Sequence, residues 1–277
     1  MENFDFFKEK IRSPVVEGLF YPDEKQELDS RLRSFGFETG KGGNAAAVIA
    51  PHGAWDISGA IAGAAFSAAG GRYGALSSVV ILGAIHNSEE EGLFLSDSDY
   101  FETPLGNIPV DLELSRELAA RGTFFEVNDI PHLREHSIEV LLPFIAYFFP
   151  AVPIVPVLMG GFRFSLISAL ARALRGVLAP RLGETLLVIS SNLSKNKNDA
   201  CSHAQAEEYI SLLQRGEKEF TAGIYNGRIS ACGSALVASL LKSGLFPDKK
   251  ARLVSPPLLR TLEEDGQFIY YGAISFE

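Results

Sequence analysis

Two of the five histidines in this chain stand directly after apolar segments, where an α/β protein would build a binding site. His86 follows an apolar run over residues 79–85, and His52 follows residues 45–50 and Pro51. Short continuous apolar runs are typical of strands buried on both faces of a sheet, and Pro51 would end the earlier strand because it cannot donate to a sheet ladder. Ligands of open α/β sheets bind at the carboxyl ends of the strands. We therefore expect the two imidazoles to share one crevice, where a metal ion is a plausible occupant because imidazole is the commonest protein ligand.

Cys232 is a third candidate, in the segment 229–235 at the predicted start of an apolar helix. A helix N-terminus lowers the pKa of a thiol and so favours the thiolate that binds metals. The alternative is a buried apolar cysteine, and the local sequence leaves both readings open.

His132 and His136 are spaced i, i+4, which would place both side chains on one face of a helix. Leu133 stands where the zinc-protease pattern His-Glu-x-x-His needs glutamate, so this pair does not match that motif. Glu135 and Ser137 flank His136, which indicates a hydrogen-bonded site residue rather than half of a paired metal site.

Predicted strands and helices alternate along the chain, with buried strands expected at 45–50, 79–84, 153–158, 185–190 and 268–276. This alternation predicts an α/β fold in three layers, with a largely parallel or mixed central sheet covered by helices on both faces. The sequence shows neither an internal repeat nor a convincing linker, so we predict one domain over residues 1–277.

The composition excludes several classes of partner. A net charge of −9 argues against a nucleic-acid surface, which needs clustered lysine and arginine. No apolar run reaches the roughly 18 to 20 residues of a membrane span, and the first residues lack the layout of a signal peptide. We expect a cytoplasmic protein without membrane contact, in which two cysteines do not form a disulfide framework.

Several short stretches together resemble the MEMO family, called AmmeMemoRadiSam system protein B in bacteria and archaea. The matching stretches, in order, are Gly18-Leu-Phe-Tyr-Pro22, Ala50-Pro-His-Gly-Ala-Trp55, Ser58-Gly59, Leu82-Gly-Ala-Ile-His86, Thr103-Pro-Leu-Gly106, Glu135-His-Ser-Ile-Glu139, Leu142-Pro-Phe144, Ser190-Ser-Asn-Leu-Ser194 and Ala231-Cys-Gly233. Each stretch is short, but their order and spacing are fairly specific. The resemblance implies a fold similar to the LigB-type class III extradiol dioxygenases, which use non-haem iron.

The resemblance also implies a metal-type pocket of two histidines and one cysteine, which fall on His52, His86 and Cys232. Imidazole and thiolate ligands suit iron, copper or zinc. The family motif Ser-Ser-Asp-x-x-His falls on residues 190–195, where Asn192 replaces its aspartate and Lys195 its histidine. Because an ammonium group repels a divalent cation and cannot replace an acid–base histidine, this departure implies weak catalysis and a site that holds metal weakly or not at all.

Beyond the three ligands, the sequence offers two further groups of site residues. The candidate catalytic residues are His136, Lys195 and Asn192, and the candidate binding residues are Trp55, Glu135 and Ser191. Three functions follow as hypotheses: a metal pocket with a possible redox role toward an unknown small molecule, a non-enzymatic module whose cleft holds a peptide or protein partner, and an extradiol-type dioxygenase. The third lacks a clearly placed carboxylate ligand.

Overall fold

The computed structural model describes residues 9–87, 89–247, 250–255, 259–262 and 266–277, and an eight-stranded mixed sheet lies at its centre. The strand order is β11-β14-β2-β9-β3-β8-β4-β7. The strands of the described residues are β1 (Ile11–Arg12), β2 (Ala47–Ala50), β3 (Ser78–Ala84), β4 (Gly92–Leu95), β5 (Tyr100–Phe101), β6 (Ile108–Pro109), β7 (Phe125–Val127), β8 (Ile154–Gly160), β9 (Thr185–Ser190), β10 (Ser194–Asn196), β11 (Ala251–Leu253), β12 (Leu259–Leu262), β13 (Phe268–Tyr271) and β14 (Ile274–Phe276).

Helices cover both faces of this sheet. They are α1 (Lys25–Ser34), α2 (Trp55–Ser67), α3 (Leu112–Ala119), α4 (Leu142–Phe148), α5 (Phe164–Leu178), α6 (Asp199–Arg215), α7 (Glu217–Tyr225) and α8 (Ser234–Ser243). In the described part of the chain, none of these helices combines the length and apolar character needed to cross a bilayer.

The middle of the sheet is parallel, and an antiparallel pair joins it on each side, whereas the outermost strand β7 pairs in parallel with β4. Strand β9 pairs in parallel with β2 and β3, and β3 pairs in parallel with β8, whereas β4 and β14 join this group antiparallel. The fold is therefore the predicted α/β arrangement with a mixed central sheet. The apolar stretch 268–276, predicted as one strand, forms two strands that separate at Gly272, and β13 leaves the large sheet to pair with β10 and β12.

Alternate side chains of the central strands enter two separate cores. In β2, Ala47 and Ile49 face the core built with α3, α5, α6, α7 and α8, whereas Val48 and Ala50 face the core built with α1, α2 and α4. This alternation explains the continuous apolar runs of the sequence, because a strand covered on both faces has no solvent side.

Two helices begin and pack as their residue types favour. Asp111 caps α3, because its carboxylate accepts a hydrogen bond from the Leu114 N–H at 2.9 Å. The small residues of α2 allow close packing: a Cβ atom on Gly59 would lie 2.6 Å from the Phe35 ring, and one on Gly63 would lie 2.7 Å from the Phe37 ring. The close neighbours of these glycines are thus aromatic rings that follow α1.

Candidate metal centre

Three neighbouring parallel strands each deliver a polar side chain two residues past their carboxyl ends. His52 follows β2, His86 follows β3 and Asn192 follows β9. The register pairs Ala50 with Ser190, so the ends of β2 and β9 are level. The expected crevice therefore forms where these strands end, and it brings together residues far apart along the chain.

The His52 ring is held in one orientation by a chain of hydrogen bonds. Its Nδ1 lies 2.6 Å from the Ser190 Oγ, and that hydroxyl donates to the carbonyl oxygen of Ser137 at 2.6 Å. Because the serine proton is committed to a carbonyl, the Oγ accepts from His52 Nδ1–H. This commits Nδ1 to the supporting bond and leaves Nε2 directed at the crevice.

Glu135 orients the other two imidazoles. One carboxylate oxygen accepts from the His86 backbone N–H at 2.6 Å, and the other lies 2.9 Å from His86 Nδ1 and 3.2 Å from His136 Nδ1. The same oxygen also accepts from the backbone N–H groups of His136 and Ser137. A carboxylate behind a histidine is the usual arrangement around protein metal ions, because it raises the basicity of the ligating nitrogen.

The segment that contains Glu135 packs directly against the backbone of β3. A Cβ on Gly83 would lie 2.6 Å from the Ser137 Oγ and 2.7 Å from an Ile138 carbon. Gly83 lies within β3, where its missing side chain makes room for residues 137 and 138.

Cys232 enters the crevice from the turn before α8. Its backbone N–H donates to Asn192 Oδ1 at 3.0 Å, and its Sγ lies 3.3 Å from the same oxygen and 3.6 Å from His52 Nε2. The turn sits directly on the end of β9, because a Cβ on Gly233 would lie 2.5 Å from the Ser190 carbonyl oxygen. Asn192 thus positions Cys232 through the backbone N–H of that residue.

Three of these side chains, all imidazoles, form a group that could hold one metal ion. The ligating nitrogens of His52, His86 and His136 all lie within 4.8 Å of one another. Two ligands of one tetrahedral ion, a sulfur at ~2.3 Å and a nitrogen at ~2.0 Å, stand about 3.5 Å apart. The Cys232 Sγ and His52 Nε2 atoms are 3.6 Å apart, which is close to that value.

The electrostatics of the crevice favour ionised Cys232 and Glu135. Burial opposes ionisation of the thiol, but His52 and His86 outweigh it and hold the pKa of Cys232 well below its usual value. Burial likewise opposes ionisation of Glu135, yet its hydrogen bond from His86 lowers the pKa of the carboxyl to about 2. For His86, burial is outweighed by hydrogen bonds to Cys232 and Glu135, which raise its pKa to about 10. Burial and the neighbouring His52 lower the pKa of His136 to about 4.

Most of the predicted site residues surround one cavity of about 340 Å³. Its walls include His52, His86, His136, Asn192, Lys195 and Cys232. Glu135 lies behind the histidines. Ser191 is fully buried behind Cys232, where its hydroxyl accepts from the Gly233 N–H at 3.1 Å.

Two residues discussed from the sequence lie outside the cavity: Trp55, a predicted binding residue, and His132, considered as a partner of His136. Trp55 is 3% exposed, donates its indole N–H to the Val140 carbonyl and packs on Phe144, so it does not line the cavity and its binding role stays a prediction. His132 is also buried, with Nε2 3.1 Å from the Phe94 carbonyl oxygen. The segment from 129 to 138 consists of turns rather than a helix, so His132 and His136 face different surroundings.

Reasoning from sequence did not single out the apolar wall or the supporting serines. Phe20, Ile57, Ile269 and Tyr271 line the cavity together with the histidines. Phe20 belongs to a stretch that carried the family resemblance, which was a usable signal, whereas nothing in the local sequence marks Tyr271. Ser190 and Ser137 act through hydrogen bonds that only the folded arrangement creates.

Comparisons with known proteins agree with this architecture. The family model described as Memo-like protein matches residues 12–256. A MEMO1 family protein of Nitrosopumilus maritimus is 28% identical, with 96% of this chain and 99% of that protein covered. One of Desulfurococcus amylolyticus is 31% identical, with 88% and 91% covered. Among solved structures, an uncharacterized protein from Escherichia coli K12 superposes with a TM-score of 0.53 at 12% identity over 83% of this chain and 99% of its own, which is a likeness of fold.

Proposed function

This chain belongs to the family of Memo-like proteins, and we propose that it binds one iron, copper or zinc ion through His52, His86 and Cys232. The observation that carries the proposal is the orientation of the His52 ring. The Ser190–Ser137 hydrogen bonds occupy its Nδ1, and its Nε2 faces the Cys232 sulfur at 3.6 Å. A buried histidine with only a structural role would have no need for one nitrogen to be presented toward a thiol in a cavity.

Each neighbouring residue has a role in this proposal. Glu135 holds the His86 ring and strengthens it as a donor, and Asn192 holds the Cys232 turn. His136 is neutral near pH 7, because its pKa is about 4, and it offers a third imidazole beside the ion. In the metal-free protein, the thiolate and the protonated His86 stabilise each other, and a metal ion would displace the His86 proton.

The donor set also supports one of the candidate chemistries over the others. Non-haem iron oxygenases of the facial-triad type use two histidines and one carboxylate, whereas the third donor here is a thiol and Glu135 is occupied by the imidazoles. Thiolate with imidazole suits copper, zinc or iron. Bound copper or iron would supply one-electron redox chemistry. We therefore favour a metal-binding, redox-linked role over ring cleavage.

Elemental analysis of the purified protein tests this function. After incubation with Fe²⁺, Cu⁺ or Zn²⁺ and desalting, the wild type is expected to retain one of these metals. In a His86→Ala, Cys232→Ala double variant, the retained metal should fall by about tenfold or more, because loss of two donors exceeds the usual cost of losing one supporting group.

The chain offers a matched control. Cys201 and His203 are exposed on α6 and repeat the same two residue types away from the cavity. A Cys201→Ala, His203→Ala double variant should retain as much metal as the wild type, and circular dichroism should show that both double variants are folded. Equal metal content in the two double variants would refute the proposed ligand set.

A further inference from the structure

A second cavity lies at the opposite end of the central strands from the metal centre. Its volume is about 170 Å³, and it adjoins Ser78 and Thr185, the first residues of β3 and β9. The start of β8 is also close, because the Asp111 N–H donates to the Ile154 carbonyl at 2.9 Å. The metal centre lies past the carboxyl ends of β2, β3 and β9, and the two cavities have no lining residue in common.

Negative charge dominates the lining of this second cavity, which we call the acidic cavity. Among the described residues, its lining contains one basic side chain, Arg181, and four acidic ones, Asp111, Glu113, Glu117 and Glu184. Hydrogen bonds to both oxygens of Glu117 raise the pKa of Arg181, and the nearby charges of Glu184 and Asp111 add to the rise. One oxygen of Asp111 caps α3. Three negative charges therefore have no counter-charge on the lining, and Glu113 and Glu184 neither cap a helix nor pair with Arg181.

The acidic cavity also adjoins a buried hydroxyl that is not satisfied. Thr185 is 2% exposed, and its Oγ1 has no hydrogen-bond partner in the part of the chain that the structure describes. The Thr185 side chain points to the same side of β9 as Leu187 and Ile189, which face the core built with α3. A buried hydroxyl without a partner destabilises a folded chain. A cation in the cavity, or a water molecule bound to that cation, would supply the missing partner.

The arrangement favours a cation that keeps part of its water. Carboxylate and hydroxyl oxygens are the ligands of Mg²⁺ and Ca²⁺, whereas thiolate and imidazole suit softer transition metals. The carboxylates do not form a ready-made chelating group, since within the described ranges only the three imidazoles bring three donor atoms within 4.8 Å of one another. Mg²⁺ usually keeps several waters and binds through one or two carboxylates. The cavity has room for about five water molecules at ~30 Å³ each.

We propose that the acidic cavity binds one hydrated divalent cation, Mg²⁺ or Ca²⁺, through Glu113, Glu184 and the hydroxyl of Thr185. The inference goes beyond the proposed function and does not depend on it, because its ligands are oxygens at the other end of the strands. The cation would link α3, which carries Glu113, to the start of β9. Because it binds the folded chain only, it should also stabilise the fold.

Isothermal titration calorimetry of the full-length protein with MgCl₂ and with CaCl₂, at constant ionic strength, tests this site. At least one ion is expected to bind with a Kd below about 1 mM, the range of weak oxygen-ligand sites, and the ion with the lower Kd is the preferred occupant. A Glu113→Gln, Glu184→Gln double variant should bind at least about tenfold more weakly, because affinity follows the number of charged ligands. Glu207 and Glu219 are exposed on α6 and α7, so a Glu207→Gln, Glu219→Gln double variant removes the same charge and should bind like the wild type.

Thr185→Val tests the hydroxyl separately, because valine has nearly the same shape. It should weaken cation binding about fivefold, the effect of one hydrogen bond. It should also raise the Tm of the cation-free protein, since the unsatisfied hydroxyl is gone. The matched control is Thr221→Val. Thr221 is also buried, but its hydroxyl donates to Glu217 at 3.4 Å, so this variant should keep the cation affinity and have a lower Tm.

The His86→Ala, Cys232→Ala double variant distinguishes the acidic cavity from the metal centre, and it should bind the divalent cation as tightly as the wild type. Four results would overturn the proposal: no saturable binding of either ion up to about 10 mM, far above the Kd of specific sites, equal affinities in the two glutamate double variants, wild-type affinity in Thr185→Val, or loss of binding in the His86→Ala, Cys232→Ala variant. Failure of the proposed function would appear separately, as a lack of retained iron, copper or zinc, and would leave these expectations unchanged.

Discussion

Two glutamates four residues apart, Glu135 and Glu139, differ in what they hold. Glu135 accepts hydrogen bonds from His86 and from the backbone around it, and it turns two imidazoles toward an open cavity. Glu139 faces the opposite way, into the protein. It pairs with Arg12, accepts from the N–H groups of Val15 and Val16, and accepts from the Tyr21 hydroxyl.

The two glutamates differ in whether the groups that bond to the carboxylate have all of their hydrogen-bond partners within the chain. Around Glu139, every group named is bonded within the chain, and Arg12 and Glu139 are each 1% exposed. Arg12 also donates to the carbonyls of His132 and Glu135. Around Glu135, each imidazole uses one nitrogen for support and keeps the other for the cavity. The first arrangement fastens the segment 11–21 to the rest of the protein, and the second leaves imidazole nitrogens directed at the cavity.

The largest effect we expect comes from Glu139→Gln. Removing one partner of a buried ion pair leaves Arg12 without its counter-charge and should lower the free energy of unfolding by about 3 to 5 kcal/mol. Metal retention per folded molecule should stay at the wild-type level, because Glu139 does not contact the cavity. Urea denaturation with elemental analysis of the folded fraction measures both quantities.

The surface pair of Glu117 and Arg181 supplies the control for this substitution. Both side chains are about one-third exposed, so Glu117→Gln should cost no more than about 1 kcal/mol. If Glu139→Gln proved as mild as Glu117→Gln, the anchoring role of the buried pair would be disproved.

The anchored region should also be sensitive to acid through His132. Burial lowers the pKa of His132 to about 4, whereas in the unfolded chain it is close to 6.5. Above pH 6.5 the imidazole is neutral in both states and has no effect. As the pH falls from 6.5 to 4, only the unfolded state takes up the proton, so the folded state loses about 3 kcal/mol.

Denaturation curves recorded between pH 7 and pH 4 test this dependence. A His132→Gln variant should lose less stability than the wild type over that range, whereas His203→Gln, at an exposed histidine, should follow the wild type. Parallel pH profiles for wild type and His132→Gln would show that this histidine is not the acid-sensitive group.

Glu135→Gln tests the other half of the comparison, the role of Glu135 in supporting the imidazoles of the cavity. The amide cannot accept from all of its present donors, and it no longer strengthens His86 as a ligand. We expect metal affinity, measured by competition with a chelator, to fall by about 10- to 100-fold. Glu139→Gln should not change this affinity, and an equal loss in both variants would show that the two glutamates do not have separate roles.

The fold could be predicted from the sequence because a strand that is buried on both faces is apolar throughout. Continuous apolar runs such as residues 185–190 predicted central strands. The split of 268–276 into two strands could not be foreseen, because it depends on β13 pairing with β10 and β12 rather than with the large sheet.

The candidate site was predictable only in part, for a related reason. Strand ends are visible in sequence, so His52 and His86 could be placed, and the family resemblance added Cys232. The segment at Glu135 could not be positioned, since its approach depends on the space beside Gly83. The burial of Trp55 is likewise a tertiary effect, because its neighbour Phe144 lies far along the chain.

The smallest effect we expect comes from Ser190→Ala. This substitution tests whether the serine hydroxyl orients the His52 ring or only contributes to packing. The substitution removes the acceptor of His52 Nδ1–H, so the ring can rotate or present the wrong nitrogen, and metal affinity should fall by about tenfold. Ser239 is the matched control: it is equally buried, but its hydroxyl donates to the Ala235 carbonyl within α8. Both substitutions should cost about 1 kcal/mol of folding free energy, the usual value of one hydrogen bond, and only Ser190→Ala should weaken the metal. Identical metal affinities in the two variants would mean that His52 keeps its orientation without the serine, and the proposal would lose the hydrogen-bond chain on which it rests.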